Sequence, residues 1–559
     1  MKLSSTNWVN KYTYTLCFLS IGLVYFFNMF IDVMEADAAQ YAAISFEMFT
    51  TGNYLEVYHR GTDYLDKPPL LFWLSALSFT FFGVSNFAYK LPAVLVIILG
   101  IYSTYRFARL WYGEQKAILA ALVVSVTQAF FLITNDVRTD GMLTGFVIFS
   151  LWQLSSFLRN KNLIHLFAGA VGVAGAMMTK GPLGLVIVGL ALGGDMLLKR
   201  DWKSIFKWEW ILFLLLVGIL LLPMCYGLYH QFDLHPEKEV YGLSGPSGIR
   251  FFFWTQSFGR ITGELYWKDN TTFFYFFHTI LWDFQPWILF LLPALWLKIK
   301  RLITIRFRAS AETEWITFSG FILCFLALST SGYKLPHYIF PLFPLIAILV
   351  ADFIVEQSKS TSTFFKVLSG VHVGLLHLFF LLTLISFVFF FSPPNLLLPI
   401  AVAFLFISFW VCWIRIKETA SRIVITTVIA MFSFGLMLST YLYPILLTYQ
   451  AESMAAKEMY SKNIPTDSFN TYKAAGFGMD FYWRNIVPYI SIEEIRNFKK
   501  GAHIFTDPAG MEEIISIEKL NYQIVKEYDD FHVAKLNAKF LNRKTRGQVL
   551  QKKYLLEKM

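Results

Sequence analysis

Long apolar runs recur along this chain, separated by short polar connections. Ile211 to Met224 reads ILFLLLVGILLLPM, and Leu378 to Phe391 reads LFFLLTLISFVFFF. Each approaches the roughly 20 apolar residues that carry an α-helix across a bilayer core. Runs of this kind predict about thirteen spans. After a first span over Tyr12 to Ile31, they begin near Asn86, Lys116, Gly141, Leu163, Pro182, Glu209, Thr272, Glu314, His337, Phe365, Asn395 and Ile423, and the last ends near Tyr443. The first run is long and has no small-residue cleavage site after it, so it reads as a retained span instead of a signal peptide. Helical hairpins are the expected solution in lipid, because a helix satisfies its own backbone hydrogen bonds.

Composition agrees with that pattern: 56% of the 559 residues are hydrophobic and only 15% are charged, against about 25% charged in an ordinary soluble chain. The formal charge of +10 would point to nucleic acid in a soluble protein. Here the cations crowd into alternate loops, such as Lys199, Arg200, Lys203 and Lys207, or Lys298, Lys300, Arg301, Arg306 and Arg308. Such loops stay on the cytoplasmic side. This reading puts the N-terminus inside and everything after Tyr443 outside, with no nucleic-acid partner. Cys17, Cys225, Cys324 and Cys412 sit far apart in apolar segments, so neither a disulfide framework nor a zinc knuckle is indicated.

The chemistry-bearing residues lie in the other set of loops. The long first outer loop, 32–89, carries MEADAAQYAAISFEMFTTGNY, with Glu35 and Asp37, and then YLDKPPLLFWLSALSFTFFG, with Asp66 and Lys67. The spacing of Asp37, Tyr41, Ile44 and Met48 predicts an amphipathic helix lying at the interface. Pro69 to Phe82 is apolar but short, so it reads as interfacial or re-entrant. Further outer turns hold Asp136, Arg138 and Asp140 in NDVRTDG, Lys180 in MMTKGPLG, Arg260 in SFGRITG, and Lys334, His337 and Tyr338 in STSGYKLPHYIFP. Ionisable residues at a membrane are costly and usually mark function. Taken singly, each serves equally as an anchor or a cap, Pro68 and Pro69 as helix starts, and Asp136 as a helix N-cap. Their convergence on one face carries the functional reading.

These motifs resemble the GT-C glycosyltransferases, specifically the group of bacterial aminoarabinose transferases and protein O-mannosyltransferases. The resemblance is carried by Asp37 to Tyr41, the block around DKPPLLFWLSALSFTFFGVSNFAYKLPA, Arg138 to Thr144, KGPL at Lys180 to Leu183, Pro286 and Trp287, and KLPHYIFPLFP at Lys334 to Pro344. It covers about the first 350 residues in motif detail and the remaining spans in architecture. It implies a sugar donor linked to polyprenyl phosphate, and an acceptor that is lipid A, another glycan or a protein. A divalent metal is the one cofactor it admits. The chain departs from the group at Gln40, where those transferases have an arginine, and at Asp66, where they have glutamate. Their outer-loop histidine has no match in ITGELYWKDN after Arg260.

Such a transfer needs a base for the acceptor and cations for the departing phosphate. The resemblance implies Asp37 as the base, with Asp140 in support. Lys67, Arg138, Lys180, Arg260 and Lys334 are the expected phosphate ligands, with His337 and Tyr338 beside them and Glu35, Tyr41, Asp66, Pro68 and Pro69 supporting. Neither a Walker loop nor a dinucleotide glycine fingerprint is present, which favours a lipid-linked donor. A lipid-linked sugar flippase or transporter explains the spans equally well, but explains less well why the charges gather at one face instead of midplane. A non-catalytic envelope assembly protein is the third reading. The expected location is the plasma membrane of a bacterium.

From about Leu447 the composition changes, and Ala451 to Tyr460 reads as a helix followed by short alternating runs. A small α/β domain over 447–559 is expected outside the membrane. The terminal KFLNRKTRGQVLQKKYLLEKM reads as a basic helix or frayed tail that touches anionic headgroups.

Overall fold

Helices begin where the apolar runs begin, and the predicted starts at Asn86, Leu163 and Glu209 coincide with observed ones. The computed structural model describes residues 11–256, 259, 271–393, 395–474 and 476–559. The N-terminal half comprises α1 (Lys11–Asn28), α2 (Asp37–Thr51), α3 (Leu70–Phe82), α4 (Asn86–Tyr112), α5 (Glu114–Ser125), α6 (Gln128–Asn135), α7 (Thr139–Asn160), α8 (Leu163–Lys180) and α9 (Leu183–Lys199). Among the described residues, eight helices are long and apolar enough to cross a membrane, and a ninth if α5 and α6, bent by 57°, form one broken span. The chain is thus a mostly helical, multi-span membrane protein.

Small residues set the spacing of the helices that carry the site. A Cβ on Gly100 of α4 would lie 2.8 Å from the Cα of Gly145 on α7, so the two backbones touch, as membrane helices do where bulky side chains are absent. That crossing fixes the start of α7, where Arg138 and Asp140 stand. At the same end of α4, the buried Lys90 ammonium donates to the carbonyls of Asn28 and Ile31 at 3.0 and 2.9 Å. It holds the exit of α1 and the segment leading to Asp37.

Two elements of the first loop are better enclosed than their periodicity predicts. α2 is packed on more than one face: Ala38, Ala39, Ala42, Ala43 and Ile44 are all buried. It packs against α3 on one side and the helix Gly478–Trp483 on another, sharing a core with Phe481 and Trp483. Its alanines allow that double approach, and a sequence period cannot reveal the second partner. α3 has 13 residues, short of a full crossing, and its Ser75 hydroxyl donates to the Tyr89 carbonyl of α4 at 3.0 Å.

Hairpins β1 (Tyr58–His59) with β2 (Thr62–Asp63), and β3 (Glu239–Val240) with β4 (Leu243–Ser244), decorate the loops. After the helix Ala451–Ser461, the chain forms β5 (Phe469–Tyr472), β6 (His503–Thr506), β7 (Tyr522–Asp530) and β8 (Gln551–Lys558), in the order β5-β6-β8-β7. β5 and β6 are parallel, and β8 runs antiparallel to both neighbours. The expectation of a basic terminal helix or frayed tail is corrected here. Only the short turns Ala538–Leu541 and Arg546–Gln548 are helical, and the last stretch is an inner strand with Leu555 and Leu556 fully buried. Pairing on both edges overrides the helical propensity of its lysines and leucines.

The sheet region is tied directly to the approach to Asp37. Tyr482 accepts a hydrogen bond from the Val33 amide at 2.7 Å, and Gln450 donates to the Val33 carbonyl at 3.0 Å while accepting from the Glu35 amide at 2.8 Å.

Candidate functional site

Asp37 opens α2, where the unpaired amides of a helix N-terminus favour an anion. Its carboxylate accepts a hydrogen bond from Arg138 Nη1 at 2.8 Å, and the same guanidinium donates through Nε to Asp136 at 2.8 Å. Burial acts to lower the Arg138 guanidinium, but the Asp136 and Asp37 carboxylates outweigh it and raise it above its ordinary value. Burial raises the Asp136 carboxyl despite Arg138. Its second oxygen is buried without a hydrogen-bond partner. One turn along α2, Tyr41 is buried, and burial followed by the charges of Asp37 and Asp66 raises its hydroxyl well above the usual range.

A second cluster forms where three distant motifs meet. Asp140 stands in the first turn of α7 and accepts from Lys180, the last residue of α8. The other Asp140 oxygen lies 3.6 Å from His337 Nε2. His337 and Tyr338 belong to the tight turn Pro336–Leu342, and the Lys180 ammonium sits 3.8 Å from the centroid of the Tyr338 ring. The motifs RTDG, KGPL and KLPHY are thereby one structure.

DKPP bridges the two clusters. Lys67 donates to Asp66 at 2.7 Å, while Pro68 and Pro69 are buried and lead into α3. Lys67 lies within electrostatic reach of Asp140 and His337, and Asp66 within reach of Tyr41. Asp37, Tyr41, Asp66, Lys67, Arg138, Asp140, Lys180, His337 and Tyr338 therefore gather at one end of the bundle.

Two of the expected site residues, Glu35 and Lys334, make contacts elsewhere. Glu35 turns toward the C-terminal region, where it accepts from the Gly478 amide at 2.8 Å and borders a cavity of about 310 Å³ with Glu452, Asp530 and His532. Burial raises its carboxyl, and burial followed by the Glu35 charge raises Glu452 further. Lys334 is buried and donates to the carbonyls of Ser331 and Thr271 at 2.6 and 3.3 Å. Arg260 lies outside the described residues. Among the described residues, no group of three or more His, Cys, Asp or Glu side chains is arranged to hold a metal. Asp136 stands in the sequence among the charged outer turns, without an expected site role. Its placement two residues before Arg138 was the available signal of a shared guanidinium.

The fold and the gathered charges define a multi-span membrane protein with its chemistry-bearing residues at one end of the helix bundle. Residues 66–226 match the family model described as dolichyl-phosphate-mannose-protein mannosyltransferase. The chain is 27% identical over 329 residues to the undecaprenyl phosphate-alpha-4-amino-4-deoxy-L-arabinose arabinosyl transferase of Edwardsiella ictaluri, covering 57% of this chain and 55% of that protein. It is 26% identical over 330 residues to a corresponding Proteus mirabilis transferase, covering 58% and 56%. These alignments thus span little more than half the length of either relative. The crystal structure of ArnT from Cupriavidus metallidurans bound to undecaprenyl phosphate superposes with a TM-score of 0.73 at 19% identity, covering 92% of this chain and 96% of that one. The resemblance of the motifs to the aminoarabinose transferase and protein O-mannosyltransferase group holds in both sequence and fold.

Proposed function

We propose that this protein is a glycosyltransferase that moves a sugar from a polyprenyl-phosphate donor to a lipid A, glycan or protein acceptor at the outer face of a bacterial plasma membrane. The carrying observation is the Asp37 carboxylate, held by Arg138 at 2.8 Å yet with 41% of its side chain exposed, beside a cluster of cations. In this scheme Asp37 takes the proton of the acceptor hydroxyl as its oxygen attacks the anomeric carbon. The bond from that carbon to the phosphate oxygen breaks, and polyprenyl phosphate leaves with the electron pair. Lys67, Arg138 and Lys180 neutralise it in a partly dehydrated cleft, where each contact is stronger than in water. Asp140 holds Lys180 and His337 in place.

The matching topology has about thirteen spans, the N-terminus in the cytoplasm, a transmembrane domain over 1–446 and an α/β domain over 447–559 outside. Labelled sugar on polyprenyl phosphate, supplied to proteoliposomes without any ion gradient, tests the proposal. Label should appear on the acceptor, whereas movement of intact donor between leaflets without transfer would assign the chain to the flippases.

A further inference from the structure

The segment from Phe531 to Gln551 contains no aspartate or glutamate, yet holds Lys535, Lys539, Arg543, Lys544 and Arg546. Its two arginines are fixed on the C-terminal end of the helix Thr363–Ile385 and its continuation to Phe390. Arg543 donates to the Phe387 and Phe390 carbonyls at 2.9 and 3.3 Å, and Arg546 to Phe390 at 2.6 Å. These carbonyls have no helical partner, and their end of the helix favours a cation. Aromatic packing completes the attachment, with Phe531 stacked on Phe540 at 3.9 Å and Tyr449 against Phe540 at 5.0 Å.

What remains after these contacts is a basic ledge beside apolar surface. Lys535, Lys539 and Lys544 are exposed, and among the described residues none of them pairs with a carboxylate, whereas Lys552 reaches Glu527 and Asp529 at 2.6 and 2.7 Å. Next to the anchoring carbonyls, Val388, Phe389, Leu396 and Leu397 are 59–73% exposed, as expected of side chains facing lipid. The ledge stands at the same end of the bundle as the site, since Ile31 and Met34, just before Asp37, share a core with Phe391, Val533 and Phe540.

We propose that Lys535, Lys539 and Lys544 form a docking surface for the headgroups of anionic phospholipids in the leaflet next to the site. Exposed cations on a segment anchored beside lipid-facing phenylalanine and leucine match a phosphate layer next to acyl chains, and lysines near such a layer attract it. The surface holds the sheet region down on the membrane beside the entrance to the site.

The test is native mass spectrometry of the full chain in detergent, titrated with phosphatidylglycerol or phosphatidylcholine. The unmodified protein should retain phosphatidylglycerol in preference, and the combined Lys535→Gln, Lys539→Gln and Lys544→Gln variant should bind it about tenfold more weakly, with phosphatidylcholine unchanged. The matching triple Lys→Arg variant should keep the preference, which separates lost charge from lost folding. The proposal is overturned if the glutamine variant retains phosphatidylglycerol as well as the unmodified chain, or if the arginine variant loses it.

Discussion

Asp37 and Asp140 are both aspartates in the first turn of a helix, and both accept from a cation, yet their surroundings differ. The Asp37 side chain is 41% exposed, whereas Asp140 is 4% exposed and enclosed by Lys180 and His337. An exposed carboxylate can meet an acceptor and lose or gain a proton. An enclosed one bonded to a lysine serves to place that lysine. In the proposed scheme neighbouring sites on one fold use the same side chain for reaction and for positioning, and enclosure makes the difference.

Replacing Asp37 with Asn should break the comparison on the reactive side. Transfer in proteoliposomes should fall by about 10²- to 10⁴-fold, the usual contribution of a general base, with the melting temperature nearly unchanged. Asp140→Asn should act differently, losing about 3–5 kcal/mol of stability because the enclosed ion pair with Lys180 is broken. The paired change Asp140→Leu with Lys180→Met should recover much of the melting temperature and none of the transfer. Lys67→Ala should raise the donor KM about ten- to a hundredfold, the loss of a charge-assisted hydrogen bond, with smaller effects on kcat and on melting.

The smallest effect expected is a pH dependence outside the site. Asp480 is pushed up to about 6 by burial, which outweighs the Arg60 guanidinium paired with it at 2.6 Å. The folded chain then holds a proton that the unfolded chain releases at lower pH. The stability that this proton supplies is full below the ordinary aspartate range and lost as pH rises through about 6. The melting temperature of the native chain should therefore fall relative to Asp480→Asn between pH 4 and 7, and two parallel curves would contradict the assignment.

Much of the site was legible because its motifs are local. DKPP, RTDG, KGPL and KLPHY each appear whole in the sequence, and each joins the cluster at the end of the bundle. Their pairings were not legible. Nothing in the spacing of Lys180, 40 residues from Asp140, shows that the two bond, because that contact depends on how α7 packs on α8. Glu35 was expected to support the site beside Asp37, but its carboxylate accepts from the Gly478 amide instead. The helix starts were legible from hydropathy, while the inner position of β8 was not, since strand order is set by edges that lie far apart in the chain.

The central claim is that these residues surround one lipid-linked phosphate. A polyprenyl-phosphate sugar analogue carrying a photoreactive group at the sugar-phosphate end, cross-linked in proteoliposomes and mapped by peptide mass spectrometry, tests it most directly. Adducts should fall on the peptides holding Lys67, Arg138 and Lys180 and be displaced by unlabelled donor. Displaceable adducts confined to helices at the opposite end of the bundle would contradict it.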